Sequence, residues 1–216
     1  MLKIYCLTLL FIFPAFLYAQ KYMDTHDPKS SDVKSLLGKD NEFAGFGGAD
    51  LKMSTLKDDR TLLMGMYAGT IINRNYLFGI AGYGIVSAND FRGSLPGSTE
   101  LKKLSLHGGY GGVLIGATMF TKEIIHLSFP ILLGAGSIDV VDDKFLDNFT
   151  NLDVTIEKSA FFVIEPAAQI EINVTKKFRI AGGIAYRYVT ASGFSYLENE
   201  DLTGLTSTLS LRFGRY

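Results

Sequence analysis

Beyond residue 41 apolar and polar residues alternate with period two in one run after another, the pattern of extended strands with two unlike faces. The clearest runs lie toward the C-terminus. Over 159–174, Phe162, Ile164, Ile170, Ile172 and Val174 share one face, and Glu165, Gln169, Glu171 and Asn173 the other. Over 178–190, Phe178, Ile180, Ile184, Tyr186 and Tyr188 oppose Arg179, Ala181, Gly183, Ala185 and Arg187. Over 204–214, Leu205, Leu209, Leu211 and Phe213 oppose Thr206, Thr208, Ser210 and Arg212. Over 124–138, Ile125, Leu127, Phe129, Ile131 and Leu133 oppose His126 and Ser128. Runs at 43–56, 61–72, 76–86 and 104–120 bring the predicted strands to eight. Those at 61–72, 76–86 and 104–120 are glycine-rich, and their faces stay unassigned.

The links add a sidedness. Three are polar turns of three residues: Asn73-Arg74-Asn75, Thr121-Lys122-Glu123 and Thr175-Lys176-Lys177. They alternate with a first loop at 57–60 and long links at 87–103, 139–158 and 191–203. Outer-membrane barrels keep tight turns on the periplasmic side and longer loops outside. The expectation is an all-β fold: an eight-stranded antiparallel up-and-down transmembrane β-barrel over 42–216. Both termini would be periplasmic and the long loops extracellular.

Alternation alone does not say which face is outward, since a soluble ligand-binding barrel puts its apolar face inside. The membrane reading rests on the length and bulk of the apolar rows, on the Gly, Ala and charges of the other rows, and on the sided loops. Leu152, Val154 and Ile156 continue the row of Phe162, so the strand there is predicted to run well past the 9–11 residues a bilayer needs. The preceding strand changes parity near Gly134-Ala135-Gly136, which predicts a β-bulge. Together they predict a hairpin around 139–158 that stands out from the surface.

The N-terminus fixes the compartment. Lys3, the apolar stretch 4–18 and Ala19 read as a secretory signal over 1–19 cut before Gln20. The polar leader 20–41 carries a possible short helix between Ser31 and Gly38, placed in the periplasm, in the lumen, or nowhere fixed. The single cysteine, Cys6, falls inside the signal, so the mature chain has no disulfide and no cysteine metal site. A net charge of −1 gives no reason to expect nucleic acid. The mean hydropathy is positive although no stretch after the signal is long enough for a helical span, a combination that suits a barrel.

The last strand, ending in Phe213 and Tyr216, resembles the C-terminal assembly signal of outer-membrane proteins. The stretches Gly45-Phe46-Gly47-Gly48, Gly79-Ile80-Ala81-Gly82-Tyr83-Gly84, Phe161-Phe162-Val163-Ile164-Glu165-Pro166, Asn173-Val174-Thr175-Lys176 and Tyr186-Arg187-Tyr188-Val189 resemble a group of uncharacterised outer-membrane barrels common in Bacteroidota, small and OmpA/OmpX-like. That resemblance implies the fold and the membrane and carries no activity.

Three constellations could carry chemistry. His126 and Ser128 resemble the His-x-Ser of an outer-membrane lipid A deacylase, and two residues apart in a strand they share a face. Phe129 stands where that family has Asn, and the bland reading is polar lumen filling. Glu165, Glu171, Arg179, Arg187 and Arg212 form an inward ion-pair network, either a structural filling or the gate of a narrow pore. Asp142, Asp143 and Asp147, with Glu198, Glu200 and Asp201 in the last loop, are weak candidates for a divalent cation, set against a solvated acidic surface. No cofactor is expected. The expected partners are outer-membrane lipid and lipopolysaccharide, with a surface protein partner through the 139–158 hairpin, and the barrel is expected to be monomeric. The expected role is structural or surface-interaction, with a lipid A hydrolase and a solute pore as alternatives.

Overall fold

The computed structural model of the chain describes residues 41–56, 59–87, 90–94, 101–142, 155–191 and 198–214, all within the unit Asp40–Tyr216. The predicted signal, nearly all of the predicted leader, Asp143 and Asp147 lie outside the described residues. The strands are β1 (Phe43–Leu56), β2 (Asp59–Ile72), β3 (Tyr76–Ile85), β4 (Asp90–Ser94), β5 (Leu101–Met119), β6 (Ile125–Asp142), β7 (Thr155–Thr175), β8 (Phe178–Ala191) and β9 (Gly204–Gly214), with a single-turn helix α1 (Asn199–Leu202) before β9. Strands adjacent in the chain pair antiparallel, except β3 and β4, and β1 also pairs with β9, from Phe46 opposite Gly214 to Ser54 opposite Thr206. β3 and β4 lie in succession along one edge of β5, opposite Gly109–Ala117 and Leu101–Ser105. The nine segments therefore make a closed eight-stranded up-and-down barrel, and among the described residues β4 pairs with β5 alone and the part of β7 before Phe161 with β6 alone.

The three short turns lie at one end. In the β2–β3 turn, Asn73 and Arg74 both take positive φ (52° and 62°), the backbone of a type I′ turn, and the Asn75 amide donates to the Ile72 carbonyl (3.1 Å). The other end differs from expectation in three ways. The first link there shrinks to residues 57–58, because β2 begins at Asp59. The link at 87–103 is partly strand, as β4 pairs with the extended start of β5. The link at 191–203 carries α1, whose Asp201 carboxylate accepts the Glu198 amide (2.9 Å).

The burial pattern inverts along the barrel axis. From the short-turn end to mid-barrel the outward row is apolar: Ile125, Phe129, Ile131 and Leu133 of β6, and Ile172, Ile170 and Ile164 of β7, are exposed. The inward row there is polar, with His126, Ser128, Glu165 and Glu171 buried. Toward the long-loop end the rows exchange character. Ile138, Val140, Phe161, Val163 and Val189 are buried, while Lys158 and Thr190 face out. The predicted bulge at Gly134-Ala135-Gly136 is absent: β6 keeps one parity from Ile125 to Val140, and pairing with β5 is continuous. Apolar residues move from odd to even positions there because the interior turns dry, with the backbone regular throughout. The irregularity sits further up, where Val140 pairs with Glu157 and Val141 with Thr155, leaving Ile156 as the extra residue. That bulge also interrupts the alternation predicted to run unbroken from Leu152.

Inward glycines make room for large rings. A Cβ at Gly65 would lie 2.1 Å from Cδ1 of Tyr83, so the ring can fold across the lumen only because residue 65 has no side chain.

Candidate functional site

The interior is built from side chains of nearly every strand, in three tiers. At mid-barrel, Lys52 of β1 pairs with Glu165 of β7, and its ammonium sits 3.4 Å from the centroid of the Tyr83 ring. The Tyr110 hydroxyl donates to the second oxygen of Glu165 (2.6 Å). Beside it, Asp50 accepts from Tyr83 (2.7 Å) and Ser210 (2.5 Å). Nearer the short turns, Glu171 accepts from Arg212 (2.5 Å) and Arg179 (3.3 Å). Arg212 Nε also donates to the Tyr67 hydroxyl (3.1 Å), and its guanidinium lies 5.2 Å and 5.5 Å from the Tyr67 and Phe46 rings. Nearer the long loops, Arg187 donates to the Leu202 carbonyl (2.8 Å) and the Ser54 hydroxyl (2.9 Å).

Among the described residues the lumen thus holds four buried cations (Lys52, Arg179, Arg187, Arg212) against three buried carboxylates (Asp50, Glu165, Glu171). Buried charges persist only where partners replace water, and here they do so through tyrosine and serine hydroxyls as much as through ion pairs. Leu202 closes the long-loop end. It is 1 % exposed, contributed by α1 and packed with Leu56, Leu63, Phe161 and Val189. A space of about 20 Å³ lined by Asp50, Lys52, Glu165, Gln169 and Thr208 has room for roughly one water.

The five network residues proposed from sequence all point inward and are buried, but they do not form one cluster. Glu171 joins Arg179 and Arg212. Glu165 goes instead to Lys52 and Tyr110. Among the described residues Arg187 has neutral hydrogen-bond partners and no carboxylate within ion-pair distance. Asp50, Lys52, Tyr67, Tyr83, Tyr110 and Ser210 were missed as partners. Asp50-Leu51-Lys52-Met53-Ser54 carried a period-two signal for the first two. The three tyrosines carried none, since glycine or alanine beside each of them breaks the contrast between the rows.

His126 and Ser128 share the inward face, 0 % and 1 % exposed. His126 Nδ1 faces the Phe120 carbonyl (3.0 Å), while Nε2 is buried with no hydrogen-bond partner. A serine hydrolase needs its hydroxyl on that nitrogen and open to substrate, and this geometry provides neither. Asp142 ends β6 with its side chain outside the described residues, as Asp143 and Asp147 are entirely. Among the described residues no group of three His, Cys, Asp or Glu side chains is placed to hold a metal. Nor is any helix long and apolar enough to cross a membrane.

No protein-family model matches the sequence, and a search of curated proteins finds no relative. Solved structures do match in fold. Neisserial surface protein A superposes with a TM-score of 0.53 at 12% identity, covering 81% of this chain and 99% of that one. The N-terminal β-barrel domain of Pseudomonas aeruginosa OprF matches at 0.47 and 9% identity, over 79% of this chain and 96% of that one. The attachment invasion locus protein Ail of Yersinia pestis, solved with the heparin analogue sucrose octasulfate, matches at 0.47 and 14%, over 81% and 98%.

Proposed function

We propose that the chain is an outer-membrane β-barrel of structural or surface-interaction type, with a closed lumen and no catalytic role. The observation that carries this is the belt. Exposed apolar side chains ring the barrel, with Ile80, Ile115, Ile131, Ile164, Ile184 and Leu209 at mid-height. Aromatic residues flank them at both levels: Phe43, Tyr76, Phe78 and Phe213 toward the short turns, and Tyr186, Tyr188 and Phe162 toward the long loops. Aromatic girdles around an apolar band, enclosing a charged interior, are what a spanning barrel requires and what water would penalise. The short turns then face the periplasm. The outer part of the β6–β7 hairpin, polar outside and apolar within, stands beyond the lipid as the surface for partners. Lipid and lipopolysaccharide contact the belt.

The pore reading finds little support in a lumen filled by tyrosine rings and stoppered by Leu202. The test is whole-cell proteolysis with outer-membrane fractionation. The protein should sediment with the outer membrane, and added protease should cut within 87–103, 139–158 or 191–203. Recovery in the soluble fraction would overturn the membrane reading, and cutting at 121–123 would invert the orientation.

A further inference from the structure

At the short-turn mouth three turns meet around an open basin of about 410 Å³. Arg74 comes from the β2–β3 turn, Lys122 from the β5–β6 turn and Lys176 from the β7–β8 turn; Arg179, Asn173 and Thr175 complete the wall. Among the described residues no carboxylate lines it. Arg74 shares the exposed Glu42 (3.1 Å), but among the described residues neither Lys122 nor Lys176 has a carboxylate within ion-pair distance. Behind the wall Arg179, 4 % exposed, shares Glu171 with Arg212, and the carboxylate lies closer to Arg212 (2.5 Å against 3.3 Å).

We propose that this basin is a binding site for a phosphate-bearing anion. A carboxylate offers two oxygens in one plane and a single charge. The basin presents cations from three turns around its rim and a fourth in its wall, an arrangement suited to the several oxygens of a tetrahedral phosphate group. Thr175 adds a hydroxyl: its Oγ1 accepts the Lys177 amide (3.2 Å), and its proton is available to the ligand. A free phosphate or phosphorylated solute and a phospholipid head group share this chemistry. The site depends on local geometry alone, so its test is independent of which way the barrel faces.

The experiment uses the mature chain folded in a non-ionic detergent at low ionic strength. Inorganic phosphate is titrated against amide chemical shifts, with sodium chloride at matched ionic strength as control. Saturable shifts confined to the turns around Arg74, Lys122 and Lys176 are expected with phosphate and absent with chloride. Lys122→Gln with Lys176→Gln, both exposed on their turns, should weaken binding at least tenfold; Lys158→Gln at the other end should leave it unchanged. In parallel, native mass spectra of protein from mixed phosphatidylglycerol and phosphatidylcholine bilayers should retain phosphatidylglycerol, and the double variant should lose it, if the source is a lipid head group. Binding in either arm that the double variant abolishes supports the site and identifies its source. No saturable binding in either arm, or equal binding by the double variant, overturns it.

Discussion

The two halves of the lumen solve the same packing problem with opposite chemistry. Toward the short turns the outward row is apolar and the interior is a network of buried charges. Toward the long loops the outward row is polar and the interior is a dry cluster of Leu56, Leu63, Leu104, Leu106, Phe161 and Leu202. The polar half buries some apolar side chains inside, Phe46, Ile71, Leu77 and Leu114, but most of its large apolar residues face out. It relies on the matching of donors and acceptors across strands, as in Asp50 with Tyr83 and Ser210. The apolar half is organised like a water-soluble barrel. The exchange of faces near Gly134 and Gly136 marks where the surroundings change, and it gives the proposed projecting hairpin a core of its own.

The halves should therefore fail differently, and the largest effect belongs to the polar one. Glu171→Gln removes the buried carboxylate that Arg179 and Arg212 share. Breaking a buried ion pair from one side costs about 3–5 kcal/mol, so unfolding of the detergent-folded barrel in urea, followed by far-ultraviolet circular dichroism, should shift by that amount. A shift below about 1 kcal/mol would mean that water replaces the carboxylate, and that the polar half is wetter than its packing suggests.

In the apolar half Leu202→Ala removes the stopper. A fully buried leucine costs about 2–5 kcal/mol when truncated in a core, but this one sits on a single helical turn that can open by itself. The loss should then appear as local opening. Amide exchange should accelerate at Val189, whose N–H donates to Thr203 (3.1 Å), while the amides of β1 and β9 at mid-barrel stay protected. Uniform acceleration over all strands would show instead that the outer core and the charged tier unfold as one unit.

At mid-barrel Gly65→Ala tests how tightly the charged tier is fitted. The added methyl would meet both the Tyr83 ring (2.1 Å) and the Gly82 carbonyl (2.4 Å). Overpacking of this kind costs about 1–3 kcal/mol, and the displaced ring would surrender its hydrogen bond to Asp50. Combining Gly65→Ala with Tyr83→Phe should recover little of the loss, because the clash is with the ring and the backbone. Recovery of most of it would shift the cost to the hydroxyl.

The same comparison explains what the sequence disclosed. Alternation is readable where the two faces meet unlike surroundings, so Phe162 to Val174 and Ile180 to Tyr188 could be assigned to faces, and the inward carboxylates and arginines followed. It fails where glycine stands on both rows, as around Tyr83 and Tyr110, and those are the rings that complete the charged tier. It misleads where the surroundings exchange: Ile138 and Val140 looked like a change of register and are a change of interior. Pairing was beyond reach for another reason. That Glu165 meets Lys52 depends on closure between β1 and β9 and on side-chain reach across the lumen, neither of which is local in the chain.

The smallest effect lies at the short-turn rim, outside either tier. Arg74 holds a φ of 62°, a conformation that costs an L side chain about 1–2 kcal/mol and glycine almost nothing. Its compensation is the exposed pair with Glu42, and such pairs contribute at most about 1 kcal/mol. Arg74→Gly gives the Asn-Gly sequence that a type I′ turn favours. After allowing for the greater freedom of glycine in the unfolded chain, stability should rise by up to about 1 kcal/mol in the same urea titration. Phosphate affinity at the basin should fall in the same variant, since one of its four cations is gone. A residue kept at a conformational cost, and improved for folding by a change that weakens binding, is retained for the ligand. If the variant folds more stably and binds phosphate as before, Arg74 is not part of the basin, and Lys122, Lys176 and Arg179 must hold the anion alone.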